Sequence, residues 1–313
     1  MHQAGSLNLD LMRAVVSRFL EALRSGRVLL MDGAMGTELQ KAGLCDGENG
    51  AAWNLLHPER VRAVHRAYRD AGAEVFLANT FMANAANLGD AFPPGPIIIS
   101  DFWTSAWGLI APPGALVFRL GSVGPVAGRL AAREFDDWGY FYARHSTFYH
   151  GADGIVLETC SSPRVAYAIR RLRRDAGEWP LLLSLAYQRD RRGKLVTFSG
   201  HPPEWFARRA RDYGIVALGV NCGRDIGMDD IIEIVRRYRA VTDLPLFARP
   251  NAGTPTRDGD RWVYPLTPKA MAARLPELLE AGACMVGGCC GTTPEHIAAC
   301  RPVIDAWNAR RAR

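Results

Sequence analysis

Val286-Gly287-Gly288-Cys289-Cys290-Gly291-Thr292-Thr293-Pro294-Glu295-His296-Ile297 holds the end of an apolar run, a glycine-rich turn and the start of a helix. Pro294 marks the helix start, because a first helical turn leaves its N–H unused and proline has none to lose. The run leading in, Cys284–Cys290, is too short for a helix and reads as a strand; the helix after it extends over Pro294–Ala309. The same beat occurs seven more times upstream. Val28–Asp32 precedes Pro58–Ala71, Val75–Phe81 precedes Asp101–Ile110, and Ala115–Val123 precedes Glu134–His150. Ile155–Thr159 precedes Pro163–Ala176, Leu181–Tyr187 precedes Pro203–Tyr213, Ile215–Cys222 precedes Met228–Val241, and Leu244–Asn251 precedes Pro268–Ala281. The strand runs are apolar without clean alternation, as expected of parallel strands covered by helices. Eight such units predict an α/β fold of the (β/α)8 barrel type, and 313 residues are ordinary for one barrel. The amphipathic stretch Leu9–Leu23 predicts an N-terminal helical extension, about residues 9–25, plugging the barrel bottom. No linker-like boundary interrupts the chain, so residues 1–313 are expected to form a single domain.

Barrels of this type carry their active sites at the C-terminal ends of the strands. Cys222 ends the sixth strand, Asn251 the seventh, and Cys289 and Cys290 the eighth, so thiols 67 positions apart are expected on one rim. Asp32, Asn79, Thr80, Glu158 and Thr159 fall at strand ends too. Neighbouring cysteines rarely bond to each other, because the short ring strains the disulfide. Both can face one ion where the backbone turns sharply, and the flanking glycines permit that turn. Three thiolates with an open fourth position describe a catalytic zinc site able to hold a substrate sulfur, whereas structural zinc usually closes with four ligands. The plainer reading of a cysteine is a small core residue, and it suits Cys45, Cys284 and Cys300; Cys160, following Glu158 at a strand end, stays open. A buried Glu158 needs a partner, and an ammonium group would serve. Asp32 before Gly33 has the alternative of shaping a turn, Asn79 that of tying loops, and His296 is expected to contact backbone rather than metal.

The net charge of +6 comes from arginine clusters such as Arg170, Arg171, Arg173 and Arg174, or Arg236, Arg237 and Arg239. They fall near predicted helix C-termini, where cations suit the helix dipole, and no nucleic-acid-binding motif accompanies them. Seven cysteines is an odd number in a chain long for a disulfide scaffold. Without a recognisable leader or a membrane-length apolar stretch, the protein is expected to be cytoplasmic with reduced thiols, binding neither membrane nor nucleic acid.

Met31-Asp32-Gly33-Ala34-Met35-Gly36-Thr37-Glu38, Trp53-Asn54-Leu55, Ala78-Asn79-Thr80-Phe81, Gly121-Ser122-Val123-Gly124-Pro125, Leu157-Glu158-Thr159, Gly219-Val220-Asn221-Cys222, Pro250-Asn251-Ala252-Gly253 and the terminal Gly287–Pro294 motif follow one another in a single order. With them the chain resembles the homocysteine S-methyltransferase family, which includes betaine-, S-methylmethionine- and cobalamin-dependent members. The resemblance implies Zn2+ on Cys222, Cys289 and Cys290, with Asn251 as an exchangeable fourth ligand. It implies that Asp32 and Glu158 face the amino group of homocysteine, that N–H groups at Gly33 and Ala34 take its carboxylate, and that Asn79 and Thr80 belong to the substrate site. The expected reaction moves a methyl group onto the homocysteine thiol, giving methionine. The donor is left open among betaine, S-methylmethionine, S-adenosylmethionine and a separate methylated corrinoid protein. A different thiol or selenol acceptor, or a non-catalytic zinc- and thiol-binding barrel, are the alternatives. The segment Met82–Pro113, with Trp103 and Trp107, and the stretch Val196–Gly200 depart from the family pattern.

Overall fold

The computed structural model describes residues 18–83, 87, 99–111, 116–125, 151–176, 179–259 and 261–311. Eight parallel strands form the ring: β1 (Leu29–Leu30), β2 (Val75–Leu77), β3 (Phe118–Val123), β4 (Gly154–Cys160), β5 (Leu181–Arg189), β7 (Ile215–Arg224), β8 (Leu246–Arg249) and β11 (Ala283–Val286). They pair in the order β1-β11-β8-β7-β5-β4-β3-β2. A parallel bridge between Met31 and Val75 joins the two ends, with the Asp32 N–H donating to Val75 O at 2.9 Å. The (β/α)8 barrel expected from the alternation is therefore present. Three further short strands, β6 (Leu195–Thr197) on β5 and the hairpin β9 (Thr256–Asp258) and β10 (Arg261–Val263), lie outside the ring. Their three-residue runs are too short to stand out in the sequence.

Helices cover the outside: α1 (Gly36–Lys41), α2 (Trp53–Leu56), α3 (Pro58–Asp70), α4 (Ile99–Ile110), α5 (Val165–Ala176), α6 (Pro203–Ala207), α7 (Met228–Arg239), α8 (Pro268–Glu280) and α9 (Pro294–Arg311). The helix expected over Pro203–Tyr213 shortens to α6, followed by turns. The helix expected over Glu134–His150 lies outside the described residues, as does the first part of Leu9–Leu23. Residues 18–24 are helical, and Phe19 and Leu23 are buried against the barrel interior. Phe19 packs on Phe118, which opens β3, with ring centroids 5.3 Å apart, so this segment sits at the N-terminal end of the ring. Within Met82–Pro113, α4 buries Trp103 and Trp107, and the Trp103 Nε1–H donates to Ala83 O at 3.1 Å.

The strands read as unbroken apolar runs because each buries both faces. Met31, Val75, Leu77, Leu120, Val156, Leu182, Ala217, Phe247 and Met285 form the inner cluster, while Leu30, Phe76, Ile155, Leu183, Leu218 and Ala248 pack outward among the helices. Phe247 fills the barrel because Gly219 makes room; a Cβ there would lie 2.5 Å from its ring. Side chains alternate in a strand, so the next inward positions are Ser122, Glu158, Ser184 and Arg249. A dry apolar layer is thus capped by a buried polar one at the C-terminal ends.

Two arginines of the α7 cluster are taken up by the helix end and its neighbours. Arg237 in the last turn of α7 forks onto Glu204 at 2.6 and 2.7 Å, and Arg239 donates to Leu244 O at 2.8 Å. No helix among the described residues is long and apolar enough to cross a membrane.

His65 on α3 is fully buried beside Phe76, and neither ring nitrogen has a partner among the described residues. Burial holds it neutral, lowering its pKa from 6.5 to about 3. Between those values the unfolded chain binds the extra proton, so stability is lost as pH falls. From pH 7 to 5 this one group should cost about 2 kcal/mol. Urea unfolding of wild type and His65→Leu at both pH values checks it. The variant should lose about that much less than wild type, and equal losses would exclude the histidine as the cause.

Candidate metal and acceptor site

The three cysteines singled out in the sequence meet at the C-terminal mouth. Cys222 Sγ lies 4.0 Å from Cys290 Sγ, Cys289 Sγ lies 3.9 Å from Cys290 Sγ, and all three sulfurs are within 4.8 Å of one another. These separations are far beyond a disulfide bond, and all seven cysteines are free. They lie close to the edge of a tetrahedral zinc–thiolate site, about 3.8 Å for Zn–S bonds of about 2.3 Å. Cys222 is near the end of β7, as expected. Cys289 and Cys290 are not in the eighth strand, which stops at Val286, but in the turn after it. That turn is held by its backbone: Cys289 N–H donates to Pro250 O at 2.8 Å and Ala252 N–H to Cys290 O at 2.9 Å. Gly291 closes it with φ 77°, under the ring of Tyr264, where a side chain would not fit.

The backbone is strained on the opposite side. Thr159 has φ 58° and Cys222 φ 52°, unusual for residues with a Cβ and more so for a β-branched threonine. Asn221 ties the two strand ends together. Its Oδ1 accepts from Ser184 Oγ at 2.5 Å and from the Thr159 N–H at 3.2 Å, and its Nδ2 donates to Thr159 Oγ1 at 2.9 Å. The same Nδ2 lies 3.7 Å from Cys289 Sγ.

The sulfurs share their protons. Hydrogen bonds from Cys289 and Cys290 hold the Cys222 thiol far below its ordinary range, and those two are pushed up in return. Asn251 places Nδ2 3.7 Å from Cys222 Sγ, while its Oδ1 is buried with no hydrogen-bond partner among the described residues. Three convergent thiols, with Asn251 against one of them, are a donor set suited to a thiophilic divalent metal.

Asp32 and Glu158 are also brought together, with Arg249, a residue outside the quoted motifs, as their partner. The buried guanidinium of Arg249, at the end of β8, donates through Nη1 to Glu158 Oε1 at 2.6 Å. Through Nη2 it reaches Asp32 Oδ1 at 3.2 Å and Gly33 O at 3.1 Å. The remaining carboxylate oxygens are used as well: Glu158 Oε2 accepts from Ser122 Oγ at 2.7 Å and Asp32 Oδ2 from the Leu77 N–H at 2.9 Å. Burial pushes the Asp32 carboxyl up to about 7 against the pull of Arg249, and Glu158 is raised for the same reason.

Other expected contacts are taken by the protein. The Ala34 N–H, expected to meet a substrate carboxylate, donates to Thr292 Oγ1 at 3.1 Å. Asn79 spends its amide on Gly50 O at 2.8 Å and Asn54 Oδ1 at 2.9 Å, which is the loop tie foreseen as its alternative. Thr80 Oγ1 clamps β3 by donating to Ser122 O at 2.8 Å and accepting its N–H at 3.1 Å. His296 binds backbone, with Nε2 2.8 Å from Leu266 O. A cavity of about 420 Å³ opens beside Cys222 and Thr159, walled by Phe198, Pro255 and Trp262.

A closed parallel α/β barrel with three thiols and a buried acid pair at its C-terminal mouth defines the class. The sequence profile of the homocysteine S-methyltransferases matches residues 29–304, and the chain belongs to that family. It is 30% identical over 301 residues to the methionine synthase of Mycobacterium leprae and 31% identical over 296 residues to that of Mycobacterium tuberculosis. Each alignment covers 87% of this chain and 24% of the relative, so the chain spans about a quarter of the relatives' length. The metallated form of the Escherichia coli homocysteine methyltransferase MmuM superposes with a TM-score of 0.71 at 24% identity, covering 88% of this chain and 96% of that one. Its oxidized form gives 0.70 at 26% identity over the same shares.

Proposed function

We propose that this barrel transfers a methyl group to the thiol of homocysteine, using zinc held by Cys222, Cys289 and Cys290 with Asn251 Oδ1 as the exchangeable fourth ligand. The observation that carries the reading is the convergence of three free thiols at the barrel mouth, with Asn251 against Cys222 and its Oδ1 unpartnered among the described residues. Zinc bound there would supply a Lewis acid that keeps an acceptor sulfur deprotonated at neutral pH. A free alkyl thiol has a pKa of about 8.5, so only a few per cent is nucleophilic without such help.

The chain's own residues do the rest. Asn221 restrains the strained strand ends that carry Thr159 and Cys222 and so fixes where the acceptor sulfur arrives. Asp32, Glu158 and Arg249 form the polar end of the acceptor pocket. Phe198 and Trp262 wall the opening from which a donor would approach. In the transfer a sulfur–carbon bond forms as the donor–methyl bond breaks, and that bond's electron pair leaves with the donor. A sulfonium or quaternary ammonium donor, or a separate methylated corrinoid protein, suits this open mouth. The relatives are about four times longer, so a corrinoid route would draw on protein beyond this barrel.

X-ray absorption on the zinc-loaded protein tests the reading. One zinc with three sulfur neighbours, gaining a fourth on addition of homocysteine, is expected. A metal shell indifferent to homocysteine would count against it.

A further inference from the structure

Arg249 alters what the acceptor must carry. An acid pair built to receive an ammonium is left with buried unpaired charges when the ligand lacks one. Sites of that kind reject the deficient analogue by about 10⁴–10⁵-fold, because their polar groups stay unsatisfied. Here that condition does not arise. Asp32, Glu158 and Arg249 are all at least 94% buried, with exposures of 2%, 6% and 4%. Every one of the four carboxylate oxygens already accepts a hydrogen bond, two of them from Arg249.

We propose that Arg249 is an acceptor-specificity residue that stands in for the acceptor's α-ammonium group, so that the pocket takes short mercapto-carboxylic acids lacking an amino group about as readily as homocysteine. The proposal rests on the thiol-methylation reading and extends its substrate class. With all four acid oxygens satisfied from within the protein, the cluster asks nothing of the acceptor's α-amino position.

The test uses the zinc-loaded protein with homocysteine and its deamino analogue, 4-mercaptobutanoate, each followed by calorimetric binding and by kcat/KM for methylation. Wild type should separate the two thiols by about tenfold or less. Arg249→Met should raise the preference for homocysteine by about 100-fold or more through the KM of the analogue, and Arg249→Lys, which keeps the charge, should stay near wild type. A wild type that binds homocysteine but excludes the analogue by about 10³-fold or more would overturn the proposal and leave the homocysteine reading standing. So would an Arg249→Met protein that loses both thiols in parallel, since that is what a purely structural clamp does. If Arg249→Met does not fold, the wild-type ratio alone decides. If neither thiol binds, both the proposal and the function it rests on fall.

Discussion

Alanine in place of Cys289 is expected to remove zinc and methyl transfer together while leaving the fold intact. Two thiols and an amide oxygen remain, which is a poorer donor set than a zinc site with an open position uses. With the acceptor thiol no longer held ionised, only a few per cent of it is thiolate at neutral pH, and that alone lowers the rate by at least about 30-fold. Loss of the fixed sulfur position adds a proximity penalty on top. The fold should persist because the turn is secured by main-chain bonds: Cys289 N–H to Pro250 O, Ala252 N–H to Cys290 O and Thr292 N–H to Cys289 O. None of these needs the side chain. Metal analysis, circular dichroism and transfer of a labelled methyl group make the measurement. Cys284→Ala is the control, since that thiol sits 3.3 Å from Leu246 O within the barrel wall and should keep both metal and turnover. Full activity in metal-free Cys289→Ala protein would end the zinc assignment.

The barrel was legible because its strands are buried on both faces and several of its helices start on proline. Pro58, Pro203, Pro268 and Pro294 open α3, α6, α8 and α9. What periodicity could not show was where pairing stops. The apolar run through Cys290 outlasts its strand because Gly287 and Gly288 stay buried and Cys289 and Cys290 half-buried beyond the last paired residue, so residues in the turn look like strand. The β9–β10 hairpin escaped notice because three-residue strands carry no period.

In the site, the cysteines were legible from their glycine context and their place at strand ends, and the structure gathers them. Arg249 was missed, although its signal was present. Counting inward positions by twos from Phe247 places a cation inside the barrel, as counting from Val156 places Glu158 there. A buried Glu158 does need a partner, and the protein supplies one from its own seventh barrel strand. The task of Asn221 is not legible, because one asparagine in sequence does not reveal that it bridges Ser184, Thr159 and Cys289. Asn79 shows the reverse: a polar residue at a strand end whose amide is consumed by a neighbouring loop.

The stability of the barrel mouth should depend on Arg249 more than on any surface ion pair. Arg249→Met keeps much of the stem and removes the guanidinium, leaving Glu158 Oε1, Asp32 Oδ1 and Gly33 O without their shared donor. Breaking a buried pair from one side leaves uncompensated charge and costs about 3–5 kcal/mol. The pH dependence identifies the cause. Burial already raises both carboxyls, Asp32 to about 7, and Arg249 is the main influence holding them down. Without it both rise further above their unfolded values near 4. Between those limits the folded variant binds more protons than the unfolded chain, so its stability improves as pH falls. Urea unfolding should therefore show a deficit of about 3 kcal/mol or more at pH 8 that shrinks by pH 5.5. Adding Glu158→Gln to Arg249→Met should recover part of the alkaline loss, because one of the two stranded charges is gone. A deficit unchanged with pH would instead assign the role of Arg249 to the packing of its aliphatic stem. In that case its hydrogen bonds to the acid pair would contribute little to holding the mouth together.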